Sequence, residues 1–441
     1  MDVQPASRSV LVACPDARPP AYQAVIGLDH AGLLAGFVTA SYFNPDGRLI
    51  SLARRWMPRK SQGWERVLRR RFDPEIPADR VHANSWVDLI LRAESRAAGK
   101  SPAVKRLLAR ARTEWFDFRL SRLVARRRPA ALLVFSDVAS GATLPLCRRL
   151  GIPTVLSMVH GDVREEAEVL ARESSTSPEF FPLYLGDGTL DLRELDWLHR
   201  RRLRDLELAD RVLVPSEHIA RTLIRHGTPP DKVRVIPYAA DSRRFRPAEA
   251  GRDRDRCTFL FAGGINQRKG ISYLLRAWSM IRRPGWKLQL LGPLPARPGP
   301  LEPLLRDVEL LGRVGHAEMP DLMAAADVFV FPSLFEGSAV VTYEALACGL
   351  PSVVTPSAGS VVRDGIEGFE VPPGDVAAIA DRMQRLGTDP ALRARMAAAA
   401  RARALEFDWP RYHSEVAAVA GSLVAEPRRS GSVFSGALGA C

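Results

Sequence analysis

The sequence predicts an α/β protein with two parallel-sheet halves, and three observations lead to this prediction. Short runs rich in β-branched and aromatic residues alternate with stretches of helical periodicity. A polar, charged stretch at residues 239–256 interrupts the alternation, which then begins again. The two halves are of comparable size, so we expect two Rossmann-like domains that face a cleft.

In the first half, an apolar run at residues 9–14 predicts the first strand. A helix at 21–36 and a strand at 37–43 follow, and the polar stretch 171–190 predicts a loop or a lid. The helix predicted at 216–227 begins with a capping serine and closes on a glycine. The other elements predicted here are strands at 131–135, 153–159, 211–215 and 233–237 and helices at 143–151 and 192–209.

The second half repeats the alternation of short apolar strands and helices. A proline-rich stretch at 293–303 predicts an irregular connection between two of its strands. We predict strands at 257–263, 286–292, 308–312, 327–332 and 351–355, and helices at 269–282, 320–326, 339–348, 374–387 and 390–406.

The stretch 239–256 is the best candidate for a linker between domains, because it is charged and rich in breakers. We therefore predict an N-terminal domain over residues 1–245, with a basic helical region at 51–130, and a C-terminal domain over 246–425. The prediction allows the last helix to cross back to the first domain. Small and polar residues dominate 426–441, which we expect to be a disordered tail.

The net charge of +13 comes from one part of the chain. Residues 51–130 contain 21 Lys and Arg against 8 Asp and Glu, and Trp56, Trp64 and Trp115 lie among the basic residues. Such amphipathic segments suit an anionic membrane surface or a phosphorylated acceptor. The alternative is that their apolar stripes pack inside the protein and their charged faces are solvated. No nucleic-acid-binding motif accompanies the charge, so we predict no nucleic-acid partner.

Composition excludes several classes of protein. Hydrophobic residues make up 46% of the chain, too many for a disordered protein. No apolar run approaches the roughly 18–20 residues of a membrane-spanning helix, and the one near the N-terminus is too short for a secretory signal. The five cysteines are odd in number, widely spaced and without a CxxC pair, which predicts reduced thiols in the cytoplasm.

The segment 329–355 contains the strongest candidate site. A strand is followed by a loop with Glu336 and Gly337, and a helix is predicted to start near Ser338. The unpaired amides of a first helical turn and the helix dipole favour an anion, and a glycine lets a ligand approach the backbone. Glu344 lies roughly 9 Å further along the helix. A diphosphate at the helix start would therefore place a ribose beside the Glu344 carboxylate.

Glu344 has a simpler interpretation as an ordinary surface glutamate. Its neighbours argue against it, because the helix is apolar almost all round and lies between apolar strands. We therefore expect the carboxylate to be buried, and buried carboxylates are rare without a partner.

The segment FAGGINQRKG at 261–270 predicts a second part of the same site. A strand ends in a loop with Gly263 and Gly264, after which Arg268 and Lys269 open a helix. The dipole disfavours cations at a helix N-terminus, so two together indicate a bound anion such as a diphosphate. A solvent-facing charge pair is the alternative.

Together these motifs resemble the retaining, GT-B-fold nucleotide-sugar glycosyltransferases of family 4. The resemblance rests on the Glu336-x7-Glu344 spacing with the following ALACGLPSVVT and GIEGFEVPPGD, and on the loop within FAGGINQRKG at 261–270, called the lysine loop below. It also rests on LVPSEHIARTLIRHG, DKVRVIPYAADSRRFRP and EFDWPRY. It covers most of residues 130–415 and is strongest across 257–375. It implies a GT-B fold in which residues 1–245 bind the acceptor and residues 246–425 bind the nucleotide sugar.

The resemblance also implies a role for individual residues. Glu336 contacts the donor sugar, Glu344 binds the ribose, and Lys269 neutralises the leaving diphosphate. His160, at the end of a predicted strand, lies near the reaction centre, although a structural or solvent-facing histidine is the alternative. The amides of Gly337, Ser338 and Ala339 assist at the diphosphate, Gly263 and Gly264 belong to the glycine loop, and Arg313 and Val314 form the edge that binds the base.

Two departures from the family pattern stand out. Gly264 occupies a place where the family commonly has an arginine, and Arg268 is a candidate to supply that charge. Ser338 and Ala339 stand where many members have an aromatic residue and a glycine. The alternative function is a non-catalytic nucleotide-sugar-binding partner in a glycan assembly complex.

The predicted reaction is metal-independent, retaining transfer of a sugar from a nucleoside diphosphate to an acceptor hydroxyl. The DxD at 253–255 lies in the charged linker and is interpreted as chance, so we predict neither a metal nor a cofactor. A GxGxxG after the first strand and a GxxxxGK[ST] loop are absent, which argues against an oxidoreductase and a P-loop kinase. The expected partners are a nucleotide sugar, a sugar or lipid-linked acceptor from bacterial glycan synthesis, and an anionic membrane surface at its cytoplasmic side.

Overall fold

The computed structural model describes residues 9–16, 19–43, 71–83, 87, 90, 102–185, 192–248, 256–295, 297–315 and 317–425. Within these residues the strands form two sheets, and helices connect successive strands. The predicted α/β class with two Rossmann-like domains is therefore confirmed. None of the helices described there is both long and apolar enough to span a lipid bilayer.

The first sheet consists of β1 (Val10–Ala13), β2 (Leu34–Thr39), β3 (Val81–Ala83), β4 (Ala131–Phe135), β5 (Thr154–Ser157), β6 (Arg211–Val214) and β7 (Val233–Val235). Its strand order is β3-β2-β1-β4-β5-β6-β7. β1, β4 and β5 are buried along their whole length, as expected for central strands of a parallel sheet. The helices of this part are α1 (Pro19–His30), α2 (Pro102–Arg127), α3 (Thr143–Leu150), α4 (Val163–Thr176), α5 (Leu192–Leu208) and α6 (Glu217–Arg225).

The second sheet consists of β8 (Cys257–Ala262), β9 (Trp286–Leu291), β10 (Glu309–Gly312), β11 (Val328–Phe331), β12 (Ser352–Val354) and β13 (Gly368–Glu370). All its strands pair in parallel, in the order β10-β9-β8-β11-β12-β13. The chain runs outward from β8 through β9 to β10 and then returns to the other side of β8. The helices that follow β8 in the chain are α7 (Ile271–Ile281), α8 (Met319–Ala324), α9 (Val340–Ala347), α10 (Val376–Thr388), α11 (Pro390–Leu405) and α12 (Trp409–Ala425).

The chain divides into two compact units. One unit takes residues 1–157, 200–212 and 413–441, and the other takes residues 158–199 and 213–412. The boundary predicted near residue 245 falls inside the second unit, and the predicted domain limits stay predictions.

The first helix and the second strand both begin and end earlier than predicted. α1 stops at His30 rather than at residue 36, because Gly32 adopts φ +67° and the Leu33 amide donates to the Leu28 carbonyl at 2.8 Å. This left-handed glycine closes the helix and starts β2 at Leu34.

The loop or lid predicted at 171–190 is wrong for its first part, because α4 extends to Thr176. The stretch is polar in sequence, yet Glu166 and Glu173 of this helix are buried. The Asp162 carboxylate caps the helix by accepting from the Arg164 amide at 3.0 Å. Burial of acidic side chains against distant polar partners is a tertiary effect that local composition does not show.

The basic region 51–130 is helical only in part. Within its described residues, α2 confirms a long helix, but β3 forms an edge strand that the helical interpretation missed. Trp56 and Trp64 lie outside the described residues, as do the tail 426–441 and residues 249–255 of the predicted linker.

Candidate active site

The two loops singled out by the sequence follow adjacent strands of the second sheet. One loop follows β8 and carries Arg268 and Lys269, and the other follows β11 and carries Glu336. The direction of strand order changes between β8 and β11. Ligands of open α/β sheets bind at such a switch point, outside the carboxyl ends of the strands.

Three charged side chains meet at this switch point. The Lys269 ammonium donates a hydrogen bond to Oε1 of Glu336, and Arg268 Nη1 lies 3.4 Å from the same oxygen. The side chains of Lys269 and Glu336 are each only 13% exposed. Lys269 Nζ also lies 4.9 Å from the ring centre of Phe331, in a cation–π arrangement. Two cations therefore face one carboxylate, which leaves a net positive charge for an anionic ligand.

Burial and charge act in opposite directions on the pKa values of this cluster. Burial lowers the pKa of Lys269 to about 8, and the Glu336 carboxylate opposes that shift. Burial by itself would raise the pKa of Glu336, but the charges of Lys269 and Arg268 outweigh it and hold that pKa below its ordinary value. At neutral pH Glu336 is ionised and Lys269 is mostly protonated.

The lysine loop forms a tight turn rather than the start of a helix. Gln267–Lys269 make one 3₁₀ turn, and α7 begins only at Ile271. The Asn266 side chain accepts from the Lys269 amide at 3.1 Å and so caps this turn. The prediction that Arg268 and Lys269 open a helix is therefore wrong: the two residues lie in the 3₁₀ turn that precedes α7.

The lysine loop and the Glu336 loop are joined through the backbone of Arg268. The Arg268 carbonyl accepts from the Leu334 amide at 2.8 Å and from the Ser333 hydroxyl at 3.2 Å. The Arg268 amide donates to the Tyr184 carbonyl at 3.2 Å. These contacts hold the two cations at a fixed position beside Glu336.

Glu344 lies on α9, the helix that follows the loop with Glu336. The carboxyl group is half-buried, and burial raises its pKa to about 7, while the nearby charge of Arg244 acts in the opposite direction. Within the described residues its carboxylate has no hydrogen-bond or ion-pair partner. A carboxylate in this condition is suited to accept hydrogen bonds from a ligand.

The start of α9 differs from the prediction. The helix begins at Val340 with Ala339 as its cap, two residues later than expected. The Ala339 amide donates to the Ala358 carbonyl at 3.0 Å, and the Ser338 hydroxyl donates to the Gly359 carbonyl at 2.7 Å. The Ala339 amide thus already donates a hydrogen bond within the protein. Of the three amides predicted to bind an anion, those of Gly337 and Ser338 remain candidates.

His160 and Gly161 lie directly against the Glu336 loop. A Cβ placed on Gly161 would lie 2.4 Å from the Phe335 ring, and one on Gly337 would lie 2.3 Å from the Val159 carbonyl oxygen. Only glycine allows these two segments to approach so closely. Nδ1 of His160 lies 2.8 Å from the Gly161 carbonyl oxygen, which orients the ring.

The remaining predicted positions follow the carboxyl ends of β8 and β10. Gly263 and Gly264 follow β8 directly, as predicted for the glycine loop. Arg313 is exposed and Val314 is half-buried after the end of β10, two strands away from β8. The roles assigned to these residues stay predictions.

Sequence reasoning missed a buried polar network behind the lysine loop. Glu173 of α4 is fully buried and accepts from the Gln267 amide group at 2.7 Å and from the Tyr273 hydroxyl at 2.8 Å. The Ser177 hydroxyl lies 3.1 Å from that of Tyr273. The carboxylate therefore holds the residue next to Arg268 in place. Sequence alone gave no signal for it, since Glu173 and Gln267 are 94 residues apart.

Two family models match the chain. Glycosyltransferase Family 4 matches residues 95–244, and Glycosyl transferases group 1 matches residues 256–389, so together they span more than half of the 441 residues. The chain belongs to glycosyltransferase family 4. The charged cluster and Glu344 lie inside the group 1 segment, and His160 lies inside the family 4 segment.

Curated relatives agree with the family assignment. D-inositol 3-phosphate glycosyltransferase of Streptomyces scabiei (strain 87.22) is 34% identical over 249 residues, which are 50% of this chain and 56% of that protein. The chain thus spans about half the length of the curated relatives it matches.

Solved structures confirm the predicted GT-B fold. Sucrose-phosphate synthase from Thermosynechococcus elongatus has a TM-score of 0.63 at 18% identity, covering 95% of this chain and 100% of that one. Anabaena HepE, solved with UDP, has a TM-score of 0.58 at 17% identity, covering 94% and 100%. At these identities the likeness concerns the fold alone.

Proposed function

We propose that the protein transfers a sugar from a nucleoside diphosphate to an acceptor hydroxyl, with retention of the anomeric configuration and without a metal ion. The observation that carries the proposal is the cluster of Arg268, Lys269 and Glu336 at the switch point of the second sheet. It combines a site for a leaving diphosphate with a carboxylate for the sugar.

The two cations act on the leaving group. When the bond between the anomeric carbon and the diphosphate oxygen breaks, negative charge develops on the diphosphate. Lys269 and Arg268 lie in a largely water-excluded position where fixed positive charge stabilises such a transition state most strongly. Because the two side chains supply this charge themselves, the proposed transfer needs no metal.

The two carboxylates orient the donor. Glu336 is ionised and fixed by its cations, so its remaining lone pairs can accept hydrogen bonds from sugar hydroxyls. Glu344 has two carboxylate oxygens and no hydrogen-bond or ion-pair partner among the described residues, which suits the two vicinal hydroxyls of a ribose. A donor bound to both residues places its diphosphate between them.

The family resemblance and the ionised, ion-paired state of Glu336 support retention. A carboxylate bound to two cations is a weak nucleophile, so we favour attack of the acceptor on the same face that the diphosphate leaves. The acceptor oxygen bonds to the anomeric carbon, and its proton passes to the departing diphosphate.

We propose a sugar or lipid-linked hydroxyl from bacterial glycan synthesis as the acceptor, bound by residues 1–245. The name of the Streptomyces relative includes a phosphorylated compound, D-inositol 3-phosphate. The basic region 51–130 is compatible with a phosphorylated acceptor by charge. The predicted cytoplasmic location stays a prediction.

The test is a turnover assay with the full chain. We would measure nucleoside diphosphate release from UDP-, GDP- and ADP-sugars in the presence of inositol phosphate, sugar phosphates and lipid phosphates. The anomeric configuration of the product is then read by NMR. Glu336→Gln should abolish turnover, whereas Glu370→Gln, an exposed residue at the end of edge strand β13, should not. Turnover that survives Glu336→Gln contradicts the proposed role of that residue.

The second candidate function is donor binding without transfer, and Gly264 favours it, because the family's usual arginine is missing there. Tight binding of a nucleotide sugar with no turnover for any acceptor would support this alternative. Turnover that depends on Arg268 would instead show that Arg268 replaces the missing charge.

A further inference from the structure

An apolar stripe runs along the outer face of α2. Val104, Leu107, Trp115 and Phe118 are all exposed, with Leu107 67% and Phe118 51% accessible to solvent. With the exposed Ala111, these positions recur every three or four residues and therefore lie on a single face of the helix. The rings of Trp115 and Phe118 lie side by side, with centroids 6.1 Å apart. Large apolar side chains gathered in this way on a surface indicate an interaction site.

The inner face of α2 is fixed to the protein, so the orientation of the stripe is defined. Phe116, Leu120 and Val124 are buried on that face. The Asp117 carboxylate accepts from three successive amides at the start of α3, from Gly141 at 2.8 Å to Thr143 at 2.9 Å. The helix therefore cannot rotate to hide its apolar stripe without breaking these bonds.

The charge around the stripe is strongly positive. The 26 residues of α2 contain eight basic and two acidic side chains. Both acidic side chains, Glu114 and Asp117, form ion pairs with the same residue, Arg201. Lys105, Arg122 and Arg126 remain exposed on the helix. The outer face thus combines apolar side chains with the exposed cationic side chains of Lys105, Arg122 and Arg126.

A cavity of about 790 Å³ continues the stripe at the C-terminal half of α2. Phe118 belongs to both, and β3 forms the other wall. The cavity is lined by three arginines, Arg119, Arg122 and Arg126. His82 and the apolar side chains of Val38, Val81 and Leu123 complete this part of the lining. Such a lining suits an anionic group attached to an apolar chain.

Burial and the neighbouring arginines both act on His82, which lines the cavity. Burial lowers the pKa of this histidine, and the charges of Arg127, Arg126 and Arg119 lower it further. An anion in the cavity would relieve that repulsion.

We propose that the outer face of α2 docks on an anionic lipid bilayer, with Leu107, Trp115 and Phe118 at the headgroup–acyl boundary and a lipid phosphate in the arginine-lined cavity. A basic helix with Trp, Phe and Leu on its apolar face binds membranes in this orientation. Each arginine near an anionic surface adds to the attraction. A bilayer is favoured over a protein partner because its surface supplies both the negative charge and the apolar layer that the stripe needs.

The proposal is tested with the full chain and vesicles of phosphatidylcholine with or without about one third phosphatidylglycerol. We expect co-sedimentation with the anionic vesicles only, and less of it at high salt. The paired change Leu107→Ser with Trp115→Ser, and separately Arg122→Gln with Arg126→Gln, should each weaken binding about tenfold or more. Met280→Ser is the control for the apolar change, because Met280 is about as exposed as Leu107. Arg395→Gln, at another exposed arginine, is the control for the arginine change, and both controls should bind as wild type.

Several results would overturn the proposal. Equal binding to neutral vesicles, or unchanged binding in both α2 variants, would show that this face does not dock on the bilayer. Loss of binding upon addition of inorganic phosphate or short nucleic acid would assign the site to that ligand instead. NMR titration gives an independent readout, because the pKa of His82 should rise when anionic vesicles bind and stay unchanged with neutral ones. None of these measurements depends on turnover.

Discussion

Lys269 and Glu336 are 67 residues apart in sequence, yet the ammonium of the first donates a hydrogen bond to the carboxylate of the second. They meet because β8 and β11 are neighbours in the sheet and each residue lies in the loop that follows its strand. Arg268 lies beside both, so the pair retains a positive surplus. The proposed function depends on this arrangement, and the following predictions test it.

Removing the Lys269 charge should lower kcat with little change in fold. We expect Lys269→Met to reduce kcat about a hundredfold to a thousandfold, because a fixed charge at the leaving group is lost. Lys287→Met is the matched control, since Lys287 is exposed on β9. Steady-state kinetics of both variants gives kcat, and an equal kcat for Lys269→Met and Lys287→Met would contradict the role of Lys269.

Activity should fall on the alkaline side because Lys269 must be protonated. Its pKa of about 8 places the loss within a measurable range, so kcat/KM should drop about tenfold per pH unit above that value. Lys269→Arg keeps its charge to higher pH and should lose this alkaline limb. Identical pH profiles for wild type and Lys269→Arg would mean that another group titrates.

Glu173 should act as a positioning residue for the lysine loop. Glu173→Gln weakens the bonds to Gln267 and Tyr273, so the turn with Arg268 and Lys269 loses its support. We expect kcat to fall about tenfold while KM for the donor changes less. The control is Glu179→Gln, which alters an exposed ion pair with Arg276. A loss of stability without any change in kcat would reduce Glu173 to a structural role.

Gly161 should not tolerate a side chain. Gly161→Ala would push a methyl group into the Phe335 ring and separate the His160 segment from the Glu336 loop. We expect a loss of about 1–3 kcal/mol in stability, read as a lower Tm, together with a drop in activity. Gly315→Ala is the control, because the nearest atom to a Cβ there, Oε2 of the exposed Glu318, would lie 3.4 Å away. An unchanged Tm for Gly161→Ala would show that the segments can separate freely.

Much of the architecture could be predicted from the sequence because parallel strands are apolar along their whole length. The runs that became β4, β8 and β11 are of this kind, and each was recognised. β3 was missed because its three residues are only half-buried at the sheet edge. The true end of α1 depends on one left-handed glycine within a run that keeps helical composition.

The candidate site was predictable to the extent that it lies in short motifs. Glu336, Glu344 and Lys269 stood out by spacing and by neighbours, although only the strand order brings the first and the third together. Glu173 was hidden in a polar stretch interpreted as a loop, since its partners lie about a hundred residues away. The hydrogen bond from the Ala339 amide to the Ala358 carbonyl could not be predicted from the local sequence either.

Nucleotide binding to the Glu344 site is the most direct test of the account. Titration calorimetry with UDP, GDP and ADP would be run on wild type, Glu344→Ala, Lys269→Met and the control Glu370→Ala. We predict that one nucleotide binds wild type and the control equally well, and that it binds both site variants at least about tenfold more weakly. Binding that is equally strong in all four proteins, or absent for every nucleotide, would contradict the proposed donor site.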